Sequence, residues 1–179
     1  MSKPNQSLKN MVVAALMLAL AYILPYFTGN IPQIGSMLLP MHLPTLLCGF
    51  LCGGPWGAAV GFFAPLLRSL ILTKPPMFPA AVAMAFEMAA YGFVSGFLYK
   101  RLPKNLGGIY GSLIGAMLVG RVVWGVVMTV LLMNGSGFTF AAFLAGAFAN
   151  AIPGIILQLV AIPALVLALQ KSHLAPQAA

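Results

Sequence analysis

Acidic residues are almost missing from this chain: Glu87 is the single carboxylate side chain among 179 residues, and there is no aspartate. Carboxylate-rich metal sites and paired-carboxylate catalysis are excluded, because each needs at least two such groups. No Walker A sequence occurs, so ATP-driven work would have to be powered by a partner. Cysteine is also scarce. Cys48 and Cys52 lie four apart on one expected helix, where backbone geometry disfavours a disulfide and no second ligand pair completes a metal site. They read as small packing residues. Charged residues of either sign make up 6% of the chain, and the nine basic ones form no dense or aromatic-interleaved patch, which argues against nucleic acid as a partner. Neither an enzyme nor a bound cofactor is expected.

What the chain has instead is apolar length. It is 61% hydrophobic with a mean hydropathy of +1.02, and several runs approach the roughly 20 residues that a helix needs to cross a bilayer. A soluble core is excluded. The reading is an all-α integral membrane protein, a single transmembrane domain whose partner is the lipid bilayer. Its six helices are expected over about 9–27, 41–53, 56–72, 78–99, 108–133 and 140–169. Spans two and three are short and meet at the turn Gly53-Gly54-Pro55, so either they tilt little or one is partly re-entrant. The sixth is long, with Pro153 and Pro163 placed to kink it. Residues 1–10 are polar and weakly basic, and no small-residue cleavage site follows closely, so the first span reads as a retained helix.

Orientation follows from Lys and Arg in the short loops. With the N-terminus inside, Lys3, Lys9, Lys100, Arg101, Lys104 and Lys171 are all cytoplasmic, and Lys74 is the one basic loop residue outside. Both termini are then cytoplasmic. The loops at 29–40, 73–79 and 134–139 face outward.

Glu87 lies within the fourth apolar stretch, and Arg68 and Arg121 lie within the third and fifth. A charge there is costly unless paired, so intramembrane ionisable groups are functional candidates. One reading pairs Glu87 with Arg121 structurally, since both fall near mid-membrane. One carboxylate cannot neutralise two guanidiniums. A left-over Arg68 under an outward mouth suits an anionic or acceptor-rich ligand, and the structural alternative for it is snorkelling to outer headgroups. Other polar groups within a ligand's reach are His42, Asn134, Ser136, Asn150 and Gln158. Asn150 and Gln158 are eight apart on one helical face and could equally serve as interhelical hydrogen bonds. Tyr91 and Trp124 lie one turn from Glu87 and Arg121, which suggests an aromatic wall beside the charges. Trp56 flanks a turn and fits an interfacial belt. On span one, Ala15 and Ala19 form a small-xxx-small step that allows close helix approach.

Several features together resemble the substrate-binding S-components of energy-coupling factor (ECF) transporters. They are a length of 179 residues, six helices, the Ala15–Ala19 step, and the run from Leu39-Pro40-Met41-His42-Leu43-Pro44 through Gly49-Phe50-Leu51-Cys52-Gly53-Gly54-Pro55. To these are added Ala64-Pro65-Leu66-Leu67-Arg68-Ser69-Leu70 and Met84-Ala85-Phe86-Glu87-Met88-Ala89-Ala90-Tyr91-Gly92. The resemblance covers nearly the whole chain. It implies a bacterial or archaeal cell-membrane subunit that binds a vitamin or vitamin precursor in an outward pocket made by the outer loops and the outer halves of spans four to six. It also implies that the subunit topples to deliver its cargo inward, with release driven by one membrane coupling subunit and two cytoplasmic ATPases. Ala15 and Ala19 match the family's docking step for the coupling subunit. A surplus arginine favours a carboxylate-bearing vitamin such as pantothenate, whereas two structural arginines leave room for a neutral benzimidazole nucleoside used in cobalamin assembly. Two other classes compete. One is a proton-coupled exporter using Glu87, against which the arginines argue by repelling a cationic cargo. The other is an assembly protein with no ligand.

Overall fold

The structure is a computed structural model that describes residues 6–27, 37–133, 139–147 and 151–172, most of them helical, with no strand among them. Helices are what an apolar chain in lipid must form, because only they satisfy every backbone N–H and C=O within one segment. In chain order they are α1 Gln6–Phe27, α2 His42–Cys52, α3 Gly54–Leu72, α4 Val82–Arg101, α5 Leu106–Leu132, α6 Phe140–Ala147 and α7 Ile152–Lys171. A short π-helical turn, Met77–Ala81, leads into α4.

Among the described residues, five stretches are long and apolar enough to cross a membrane: Gln6–Phe27, Gly54–Leu72, Met77–Arg101, Leu106–Leu132 and Ile152–Lys171. The second expected span is different. α2 has 11 residues, which at about 1.5 Å each reach only roughly half the hydrocarbon thickness. The described part of the sixth expected span, 140–169, carries two helices, α6 and α7. Pro153 lies in the first turn of α7, where a missing N–H removes no helical hydrogen bond, so it begins a helix and does not kink one. Pro163 is inside α7.

α4 is the centre of the bundle and packs on α2, α3 and α5. Glycine makes this possible. A Cβ at Gly57 of α3 would fall 2.6 Å from the Gly92 carbonyl of α4, and one at Gly96 of α4 would fall 2.6 Å from the Gly49 carbonyl of α2. The three backbones therefore touch, which is the close approach that small residues permit in membrane helices. Gly53, at φ 92°, turns α2 into α3 in a conformation that a side chain would strain. The main core cluster gathers Leu46, Phe50, Tyr91, Leu113 and Ile162 from α2, α4, α5 and α7.

One end of the bundle collects the basic residues. Asn10 reaches the Cys52 carbonyl at 3.5 Å, the rings of Phe50 and Tyr99 meet edge-on at 4.8 Å, and Gln170 donates to Tyr99 Oη at 2.6 Å and to the Lys104 carbonyl at 3.3 Å. These contacts draw the start of α1, the ends of α2, α4 and α7, and the start of α5 together, with Lys9, Lys100, Arg101, Lys104 and Lys171 among them. Lys104 lies over the Tyr99 ring at 4.0 Å, and partial burial lowers its amine from the ordinary lysine value.

Candidate functional site

Away from the basic end, three helices bring charged groups to one point. Glu87 comes from the second turn of α4, Arg121 from the middle of α5 and His42 from the first residue of α2. Arg121 Nη1 donates to Glu87 Oε1 at 2.9 Å, and His42 Nε2 stands 3.8 Å from the same oxygen, beyond hydrogen-bond range. All three are buried, at 5%, 2% and 1% exposure for Arg121, Glu87 and His42. Local structure explains how each arrives. Leu39, at φ 50°, turns the chain so that its carbonyl accepts from the His42 N–H at 3.0 Å, which starts α2 with its imidazole inside. A Cβ at Gly154 would meet the Met37 carbonyl at 2.6 Å, so this glycine lets the segment before α2 lie against the start of α7. Gly120, beside Arg121, leaves room for the Tyr91 ring.

Tyr91 forms the wall of the cluster. Its ring meets His42 edge-on at 5.1 Å, and the Arg121 guanidinium carbon lies 6.0 Å from its centroid.

The cluster has one ion pair and many unused hydrogen-bonding atoms. Tyr91 Oη, both ring nitrogens of His42, and Nε and Nη2 of Arg121 are buried without a partner. Both amide atoms of Gln158 are also unpartnered; it lies on α7, which packs on α2 and α5. Each such group costs about 1–3 kcal/mol when buried and unpaired. Native structures bury few such groups without partners. Such a set can hold a small polar molecule by several directed hydrogen bonds.

Arg68, which the sequence also offered as a ligand group, is directed elsewhere. It is 4% exposed, donates from Nη1 to the Tyr22 carbonyl at 2.8 Å, and lies 5.3 Å from the Tyr26 ring centroid. Pro25, inside α1, supplies no N–H to the helix and opens its last turns. A cation at the C-terminal end of α1 also suits the helix dipole. Nothing in the loop pattern showed that Tyr22 and Tyr26 would meet this arginine. Trp124 is half-buried and stacks on Phe143 of α6 at 6.2 Å, its indole edge lying against Gly146. Asn134, Ser136 and Asn150 lie outside the described residues.

A family model described as "ECF transporter, substrate-specific component" matches residues 9–166. The chain belongs to that family. No curated protein and no solved structure matches closely enough to add to this. As an ECF substrate-specific component it is a multi-pass membrane transport subunit that binds substrate, and it is not itself an enzyme.

Two apolar surfaces lie on the outside of this S-component. On α1, Ala14, Met17, Ala21 and Pro25 turn inward, while Ala15 and Ala19 lie exposed on the opposite side beside Val12, Leu16 and Ile23. The small-xxx-small step is therefore open on the outside of the bundle. Between α5 and α6 a cleft of about 510 Å³ is lined by Val122, Val126, Val130 and Phe140, among others. It is apolar and includes none of the charged residues, and its valines face outward, as a lipid-facing groove would require.

Proposed function

We propose that this S-component takes up a water-soluble vitamin or vitamin precursor from outside and holds it at the His42–Glu87–Tyr91–Arg121 cluster. It then delivers its cargo inward with a membrane coupling subunit and two cytoplasmic ATPases of an ECF module. The observation that carries the reading is the set of buried, unpartnered polar atoms on α2, α4 and α5 beside a single ion pair. Without an occupant these atoms are a standing cost; with one they are a binding site. The substrate classes that fit are a pantothenate-like acid and a benzimidazole nucleoside of the cobalamin pathway. Trp124, Asn134 and Asn150 remain candidate ligand groups on the reading of the sequence.

In this reading the chain crosses the membrane six times, α2 serving as a short second crossing, with both termini cytoplasmic in a bacterial or archaeal cell membrane. The gathering of basic residues at one end of the bundle supports that orientation. The exposed face of Ala15 and Ala19 supports docking of the coupling subunit through α1. The exporter alternative loses ground, because Glu87 is already bonded to Arg121.

Uptake measured in cells that carry this chain with and without an ECF module tests the proposal. Accumulation of labelled vitamin only when the module is present supports it. Robust accumulation by the chain alone would identify a secondary transporter instead.

A further inference from the structure

A guanidinium can grip two oxygens at once along either of two edges, the Nη1/Nη2 end or the Nε/Nη2 side. Glu87 takes Arg121 by Nη1 alone. Both Nε and Nη2 are buried and unpartnered, so the whole side edge stays free. Tyr91 Oη, also unpartnered, belongs to the ring beside that guanidinium. The geometry of the other intramembrane arginine differs, because Arg68 is turned toward the Tyr22 carbonyl and the Tyr26 ring.

Resting on the importer reading above, we propose that the substrate carries a carboxylate and that this group lies across Nε and Nη2 of Arg121. Glu87 is then a positioning residue. By holding Nη1 it fixes the plane of the guanidinium and leaves the side edge for the ligand. A carboxylate supplies two coplanar oxygens at the spacing of that edge, whereas a neutral heteroaromatic supplies single acceptors. Glu87 and Arg121 cancel in charge, so selection rests on paired, directed donors. His42 Nε2 lies 3.8 Å from the same Glu87 oxygen.

The test uses the purified full chain and matched pairs of an acid and its neutral twin, pantothenate with panthenol and nicotinate with nicotinamide, together with a neutral benzimidazole nucleoside. Affinity is read by titration calorimetry, and any molecule retained through purification is identified by mass spectrometry. An acid is expected to bind on the order of 100-fold more tightly than its neutral twin, as for a buried charge-assisted pair. Arg121→Lys, which keeps the charge and loses the fork, is expected to reduce that preference to about tenfold or less. A neutral compound bound as tightly as any acid, a neutral retained molecule, or an unchanged preference in Arg121→Lys would overturn the carboxylate assignment and leave the importer reading standing. If no compound binds and none is retained, the importer reading fails and this inference fails with it. Should Arg121→Lys not fold, the wild-type comparison of acid and neutral twin decides alone.

Discussion

Arg121 Nη1 donates to Glu87 Oε1 at 2.9 Å, and this bond joins α5 to the central helix α4 inside the bundle. Glu87 is the sole acidic residue, and among the described residues it meets Arg121 at 2.9 Å and His42 at 3.8 Å. Everything else at the site is arranged around it.

Breaking that pair from one side strands a buried charge. Glu87→Ala and Arg121→Ala are each expected to lower stability by about 3–5 kcal/mol, whereas the double change Glu87→Leu with Arg121→Met restores most of it, since an apolar pair of similar volume needs no partner. Substrate binding is expected to be lost in all three. Unfolding temperatures in detergent, read beside ligand affinity, check this. A double variant as unstable as the singles would contradict it.

Arg68 is expected to behave differently. Because its Nη1 is committed to the Tyr22 carbonyl beside Pro25, Arg68→Ala should cost roughly 1–3 kcal/mol of stability, as for a lost bond to a charged donor. It should leave the preference for an acid over its neutral twin unchanged. Loss of that preference with normal stability would return Arg68 to the site.

On the proposed reading, docking and binding use separate faces. Ala15→Trp or Ala19→Trp puts bulk on the exposed side of α1, away from its inward-facing Ala14, Met17 and Ala21. Uptake is expected to stop while affinity stays intact. Uptake at the wild-type rate in both variants would remove α1 from the mechanism.

The backbone contacts of α4 leave no slack. A Cβ at Gly57 already meets the Gly92 carbonyl at 2.6 Å, so Gly57→Val is expected to cost roughly 1–3 kcal/mol or more as overpacking. Circular dichroism melts of the detergent-solubilised variant measure it. An unchanged melt would mean that α3 and α4 can separate freely.

Much of this molecule is legible without coordinates, because a chain with one acidic residue has few ways to pair its charges. Glu87 and Arg121 could be set at similar depth by counting residues along two apolar runs. Their 2.9 Å bond could not. His42 reads as a residue at the head of a span, and its approach to Glu87 depends on the turn at Leu39, whose positive φ no glycine announces. The destination of Arg68 was hidden for a related reason: the acceptor is a backbone carbonyl near Pro25, and carbonyls have no signature in composition. The short second span, expected at about 41–53, is matched by α2, His42–Cys52, but apolar content alone does not show that Pro153 starts a helix.

The most direct measurement is native mass spectrometry of the gently purified chain, with thermal-shift assays against a panel of vitamins and precursors. The account predicts one tightly held small molecule whose removal lowers the unfolding temperature and whose return restores it. A bare protein that no compound in the panel stabilises would contradict substrate binding at this cluster.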